Sequence, residues 1–236
     1  MKQKIILFIC FLWVTFCHSQ TLEKGWSCFD GSIGKNDVVV NVFRDITGNL
    51  TGDYCYKKFE TRIKLNGKVK DGVIFLDEFT NSKITAKFKG KINEENNTIS
   101  GKWSSTTHSD LSFFLSLASA TGNLIDSKYE MDAADEDVEL FFKKTKKAIV
   151  ADDKIWLSKN TKFPLTLYIQ KKKVKVKNAS EFLKKYDAII TKKVRKSIGE
   201  SCVCNIFSTA DGAMIANGSI WVNVFEKCLK ISAINN

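Results

Sequence analysis

Histidine is almost missing from this sequence: two occur in 236 residues, His18 and His108. No His-Glu-x-x-His run occurs, which removes the zinc centre built on two histidines one helical turn apart. No Gly-rich phosphate loop and no Gly-x-Ser-x-Gly turn occurs either. No pair of acid and base groups stands out, so no catalytic, cofactor-binding or metal-ligating residue is assigned. Proline is scarcer still, with Pro164 alone marking the end of a loop. Beyond the N-terminal stretch, no apolar run is long enough to cross a bilayer as a helix. The mature chain is therefore expected to be soluble.

What is present begins with residues 1–19, MKQKIILFICFLWVTFCHS. Lys2 and Lys4 form a positive front, residues 5–16 an apolar run interrupted only by Thr15, and Cys17 and Ser19 supply small residues before Gln20. This is the build of a secretory signal peptide, with cleavage expected after Ser19 and export to a periplasm or medium. Lipoprotein processing at Cys17 is the rival, disfavoured because Phe16 sits where a small residue is needed. The removed segment holds two lysines and no acids, so the net charge falls from +11 to +9 over 217 residues.

Five cysteines remain: Cys28, Cys55, Cys202, Cys204 and Cys228. An exported chain can keep disulfides. The spacing suggests Cys28 bridged to Cys55, and Cys228 to Cys202 or Cys204, with one thiol left over. A metal reading of Cys202-Val203-Cys204 is disfavoured, because zinc spacing is usually C-x₂₋₄-C and histidine partners are lacking.

The chain divides by period. Residues 20–118 alternate with period two between turn formers. Asp71-Gly72 between alternating runs is a strong hairpin signal. The expected unit is an antiparallel meander of six to eight strands, forming a sandwich or partial barrel. Residues 119–133 read as a linker. Over 134–236 the pattern first turns helical. Asp135 is expected to cap a helix whose buried stripe is Val138, Phe141, Phe142, Thr145, Ala148 and Ile149. A strand pair follows near 165–177. Next comes a helix opened by Asn178 and Glu181 in capping-box form and carrying Phe182, Leu183, Tyr186, Ile189, Ile190 and Val194. Closing strands are expected at 202–207, 213–216, 219–225 and 227–231.

Three segments of this second half carry a resemblance: FPLTLYI (163–169), VKNASEFLKKYDAIITKKV (176–194) and DGAMIANGSIWVNVF (211–225). In them the chain resembles the nuclear-transport-factor-2-like superfamily, as found in little-characterised bacterial periplasmic proteins. The resemblance implies a cone-shaped α+β domain with a curved antiparallel sheet. The fold class expected for the whole chain is thus α+β, an all-β front followed by that cone. Some members of the superfamily are isomerases or dehydratases, whereas others only bind ligands. Tyr186, Asp187 and Trp221 are the polar residues that could face such a cone, and no catalytic role is carried over to them.

The remaining signal is charge. Residues 143–196 hold seventeen lysines and Arg195 against Asp152, Asp153, Glu181 and Asp187, a net +14, so the rest of the mature chain sums to −5. Lys171, Lys173, Lys175 and Lys177 share one face of a regular hairpin, and Lys184, Lys185, Lys192, Lys193 and Lys196 follow on the next helix. Such a field draws anions. The segment lacks the interleaved aromatics and arginines of nucleic-acid recognition, which disfavours that partner. The expected function is an exported, non-enzymatic binding protein that engages an anionic surface or an acidic partner through this face. The alternative is an isomerase- or hydrolase-type enzyme with its site inside the cone.

Overall fold

The computed structural model describes residues 22–107, 109–122, 124 and 127–236. The expected signal segment, with its cleavage point at Ser19 and the rival Cys17, lies outside them, as does His108.

The first eight strands are β1 (Gly25–Ile33), β2 (Asn36–Arg44), β3 (Asn49–Tyr56), β4 (Arg62–Lys70), β5 (Val73–Thr80), β6 (Lys83–Asn93), β7 (Thr98–Ser105) and β8 (Leu111–Ala120). Each pairs antiparallel with the next, and β8 returns to pair with β1, closing a barrel. Closure removes both sheet edges, which a sandwich or open barrel would leave exposed. The tight turns are written locally. Asp71 and Gly72 adopt φ of 51° and 72°, the left-handed pair that a two-residue hairpin needs.

Alternation then sorts the faces. On β4, Leu65 is buried while Lys64, Asn66, Lys68 and Lys70 are exposed. On β6, Ala86 and Phe88 are buried while Lys87, Lys89 and Lys91 are exposed. An outer surface so charged is unlike the apolar band of a membrane barrel. No helix among the described residues is long and apolar enough to cross a membrane.

The barrel interior is packed with side chains, as an eight-stranded barrel is just wide enough to allow. The Phe88 ring meets Tyr54 and Phe113 edge-on, at centroid distances of 5.4 and 5.3 Å. A Cβ at Gly90 would lie 2.5 Å from the Phe113 ring, so only glycine leaves room for it. Glu78 is buried there but satisfied: it accepts from Tyr54 Oη at 2.6 Å, Thr85 Oγ1 at 2.6 Å and Trp103 Nε1 at 3.2 Å. Burial, and then Glu78 itself, push the Tyr54 phenol well up, so it stays a donor.

The second part comprises α1 (Asp135–Val150), α2 (Lys154–Lys159), β9 (Leu165–Ile169), β10 (Lys172–Val176), α3 (Ala179–Lys184), α4 (Tyr186–Ile189), α5 (Lys192–Glu200), β11 (Phe207–Thr209), β12 (Gly212–Ile215), β13 (Ile220–Phe225) and β14 (Cys228–Ile234). Its apolar core is separate from that of the barrel. It runs from Tyr129 through the α1 stripe to Ile231 and Ile234.

The expected α+β class with a C-terminal cone is not what forms. Strands make up 49% of the chain and helices 19%, so it is mostly β, led by the closed barrel. In the second part, β9–β10 and β11–β14 are separate sheets rather than one curved sheet. The outer edge of β14 is already occupied. Ile231 N donates to Asn160 O and Lys162 N to Ile231 O, both at 2.8 Å, which leaves no place there for the hairpin.

Local readings are corrected too. Asp135 is the first helical residue, not the cap. Its carboxylate instead accepts from Lys128 N at 2.8 Å and Ser127 Oγ at 3.2 Å. The single helix expected after Asn178 is three. Asn178 caps α3 through Glu181 N at 2.9 Å, and Thr191 starts α5 afresh by accepting from Val194 N at 3.3 Å. Residues 202–206 form no strand. Strand β8 extends to Ala120, two residues into the expected linker, and Tyr129 from that linker is buried in the second core.

Candidate functional site

The nine lysines singled out by the sequence all lie on the surface of the second part. Lys171 sits with Gln170 in the β9–β10 turn, at φ of 64° and 50°. Lys173 and Lys175 project from β10 opposite Tyr168 and Thr166, while Val174 and Val176 turn inward. Lys177 leads into α3, Lys184 and Lys185 end it, and Lys192, Lys193 and Lys196 project from α5 while Val194 and Ile198 pack beneath. Each of the nine side chains is exposed. The hairpin turn and the start of α5 share one surface, because Tyr168, Gln170 and Lys171 line an open hollow of about 720 Å³ together with Ala188, Thr191 and Asn236.

None of the four acids of this segment forms an ion pair with the nine lysines. Asp152 pairs with Arg195 at 2.5 Å, and Asp187 lies 3.6 Å from Arg195 and 3.7 Å from Lys154. Asp153 caps α2 through Trp156 N at 2.9 Å, and Glu181 accepts from Lys177 N at 2.9 Å. Among the described residues, none of the nine lysine ammonium groups forms an ion pair. The positive field is therefore not neutralised locally. Tyr168 adds an exposed aromatic ring (60%) beside Lys173. The sequence reading missed it, although its alternation with inward Leu165 and Leu167 was a signal.

The residues considered for a cone are dispersed. Tyr186 is buried, with Lys154 Nζ at 4.7 Å from its ring centroid and the Arg195 guanidinium at 5.3 Å. Asp187 is exposed in the ion pairs above, and Trp221 is half-buried on β13. With no cone to converge in, they make no acid–base site.

A second constellation joins the two parts. The outer face of β2 and β3 is covered by the second part, which buries Val39, Asn41 and Cys55. Arg62 on β4 reaches Asp53 on β3, and its Nε lies 2.6 Å from Glu139 on α1. Lys128 Nζ lies 2.5 Å from Asp53 and 3.3 Å from Glu139. Tyr129 Oη donates to Glu139 at 3.0 Å and accepts from Arg62 Nη2 at 3.2 Å. Two cations thus face two carboxylates with their hydrogen bonds satisfied, the condition for burying charge at tolerable cost. Lys146 adds a tie, donating to Glu60 and to Ser201 O, both at 2.7 Å.

Burial alone would raise the Asp53 carboxyl. Lys128 and Arg62, both hydrogen-bonded to it, overcome this and hold it below the ordinary carboxylate value. The sign follows. Stability from this ionised group is fully present above about pH 4, the unfolded value, and is lost as pH falls toward the lower folded value. Thermal melts of the wild type should therefore drop steeply below about pH 4, and those of Asp53→Asn less so. Parallel acid profiles for the two proteins would contradict this.

Four of the five cysteines meet at the same junction, but not as the sequence suggested. Cys55 on β3 bridges Cys204, across 149 residues. Cys28 cannot reach Cys55, because β2 lies between β1 and β3. Two strand spacings are about 10 Å, beyond the ~7 Å Cα limit of a disulfide. Cys28 and Cys202 carry unbridged thiols packed against the bridge. Cys228 is exposed and unbridged at the start of β14. Cys202 and Cys204 lie in a turn, yet both reach the cluster.

No protein-family model matches the chain, and no curated protein matches it.

Proposed function

We propose that this is an exported binding protein that docks on a phosphate-rich anionic surface through the lysines of the β9–β10 hairpin and of α3 to α5. One observation supports the reading above others: nine exposed lysines share a segment in which, among the described residues, no acid forms an ion pair with any of their ammonium groups. The exposed Tyr168 ring suits the polar–apolar boundary of such a surface. The Cys55–Cys204 disulfide suits an oxidising compartment. The protein that leaves the cell is expected to begin at Gln20 by mass spectrometry.

The test changes Lys171, Lys173, Lys175 and Lys177 together to Gln. Exposed charges contribute little to stability, so the melting temperature should stay almost unchanged. A lysine near an anionic membrane contributes about 1 kcal/mol, so losing two effective contacts weakens vesicle binding about thirtyfold. Raising salt from about 0.05 to about 0.3 M should act the same way, as the screening length falls below about 10 Å. Anionic phospholipid vesicles, inorganic polyphosphate and neutral phosphatidylcholine vesicles separate a membrane from a soluble polymer and from non-ionic adsorption. Binding indifferent to salt and to the four substitutions would sink the proposal. Retention on polyglutamate alone would move it to an acidic protein.

A further inference from the structure

The Cys55–Cys204 bridge has a third sulfur beside it. Cys202 Sγ lies 3.9 Å from Cys55 Sγ, and the Sγ atoms of Cys55, Cys202 and Cys204 all lie within 4.8 Å of one another. The Cys204 backbone N–H donates to Cys202 Sγ at 3.4 Å, the partner a developing thiolate needs. From this nearness we infer a thiol–disulfide exchange site at the junction, in which Cys202 competes with Cys204 for Cys55 once the 201–205 loop swings Cys202 Sγ into line behind the bridge.

The step balances without oxidant or reductant. Cys202 loses its proton to solvent, and its sulfur forms a bond to Cys55 Sγ. The Cys55–Cys204 bond breaks, its electron pair leaves on Cys204, and Cys204 takes up a proton. The products are a Cys55–Cys202 bridge and a Cys204 thiol. The cross-link between barrel and second part persists, moved by two residues.

Access and charge fit this role. Cys202 is half-buried and lines an open hollow of about 400 Å³ with Lys57, Glu200 and Asn205, so solvent can take its proton. Burial raises the Cys202 thiol and the Cys204 N–H lowers it; Glu60 then raises it, while Lys146 and Arg62 lower it, and the net shift is upward. Exchange is therefore slow near neutrality and speeds with pH. Cys28 is a bystander on β1, half-buried like Cys202, with its thiol pushed up to about 12 by burial and then by Asp30. What exchange would change is the loop around residues 201–205. Val203 N, held on Glu60 Oε1 at 3.2 Å, sits between the two competing cysteines. Shifting the anchor from Cys204 to Cys202 pulls on that contact.

The test uses the oxidised full chain, incubated natively at about pH 9 and at about pH 5, acid-quenched, alkylated and mapped by mass spectrometry without reduction. At the higher pH both Cys55–Cys204 and Cys55–Cys202 peptides should appear. The approach to their final ratio should quicken about tenfold per pH unit while the thiol remains mostly protonated. Cys202→Ser should give Cys55–Cys204 alone. Cys204→Ser should give Cys55–Cys202, and the wild-type arm decides the matter even if that variant folds poorly. Wild-type protein that shows only Cys55–Cys204 at about pH 9, or that links Cys28 to Cys202, overturns the inference.

Discussion

Replacing Cys55 with serine should lower the unfolding free energy of the oxidised chain by about 5 kcal/mol. The bridge to Cys204 spans 149 residues, so it closes most of the described chain into one loop. In the chain-entropy account, stabilisation grows with the logarithm of that span, through restriction of the unfolded state. Total stabilities are typically only about 5–15 kcal/mol, so the loss would be a large share. Urea unfolding of wild type and variant supplies the comparison, and fully reduced wild type should resemble the variant. Thiol mapping must accompany it, because Cys28 and Cys202 lie close enough to the site to form a substitute link. A difference below about 1 kcal/mol with no substitute link would mean that packing and the ion network hold the parts without help from the bridge. The exchange site adds a contrast: Cys204→Ser should cost less than Cys55→Ser protein shown by mapping to carry no substitute link, because Cys202 can take the place of Cys204 on Cys55.

Arg62→Met should cost about 3–5 kcal/mol, the range seen when one member of a buried ion network is removed. Arg62, Asp53, Lys128 and Glu139 have side chains only 9–14% exposed. Without Arg62, Lys128 alone faces two carboxylates, and the Tyr129 hydroxyl loses its donor. Methionine keeps much of the volume, so the loss reports charge rather than a cavity. The double variant Arg62→Met with Glu139→Gln restores neutrality and should recover part of the loss, since the remaining Lys128 and Asp53 balance. A single variant within about 1 kcal/mol of wild type would show that water reaches the network and screens it.

The barrel's hairpins were legible because period-two alternation and Asp71-Gly72 are local signals. Closure was not, because the pairing of β1 with β8 is a long-range event that no short window records. The α1 stripe was read residue for residue, since a 3.6-residue period over four turns leaves little choice. The break between α4 and α5 was not, because Ile189, Ile190 and Val194 keep helical spacing across Thr191, which caps instead of continuing. The cysteine pairing failed on topology. Nearness in sequence favoured Cys28 with Cys55, and an intervening strand forbids it. One cue to the junction was available. In β2 the run Val38-Val39-Val40-Asn41-Val42 is buried throughout. A strand that does not alternate is covered on both faces. That run marks the outer face where the second part docks, and with it the place where Cys55 and Asp53 would find partners. The lysine surface was legible as composition. That Asp152 and Asp187 pair with Arg195 and Lys154 rather than with those lysines was visible only in three dimensions.

The most direct test of the docking face is acylation footprinting of lysines, free and bound to anionic phospholipid vesicles at low salt. The barrel supplies the internal control, because Lys87, Lys89 and Lys91 are also exposed but lie on β6. Bound protein should show Lys171, Lys173, Lys175, Lys177, Lys192, Lys193 and Lys196 protected, with Lys184 and Lys185 following if α3 meets the surface, while the three β6 lysines stay reactive. Equal protection of barrel and hairpin lysines, or protection of the barrel alone, would contradict the assignment of the docking face to the second part.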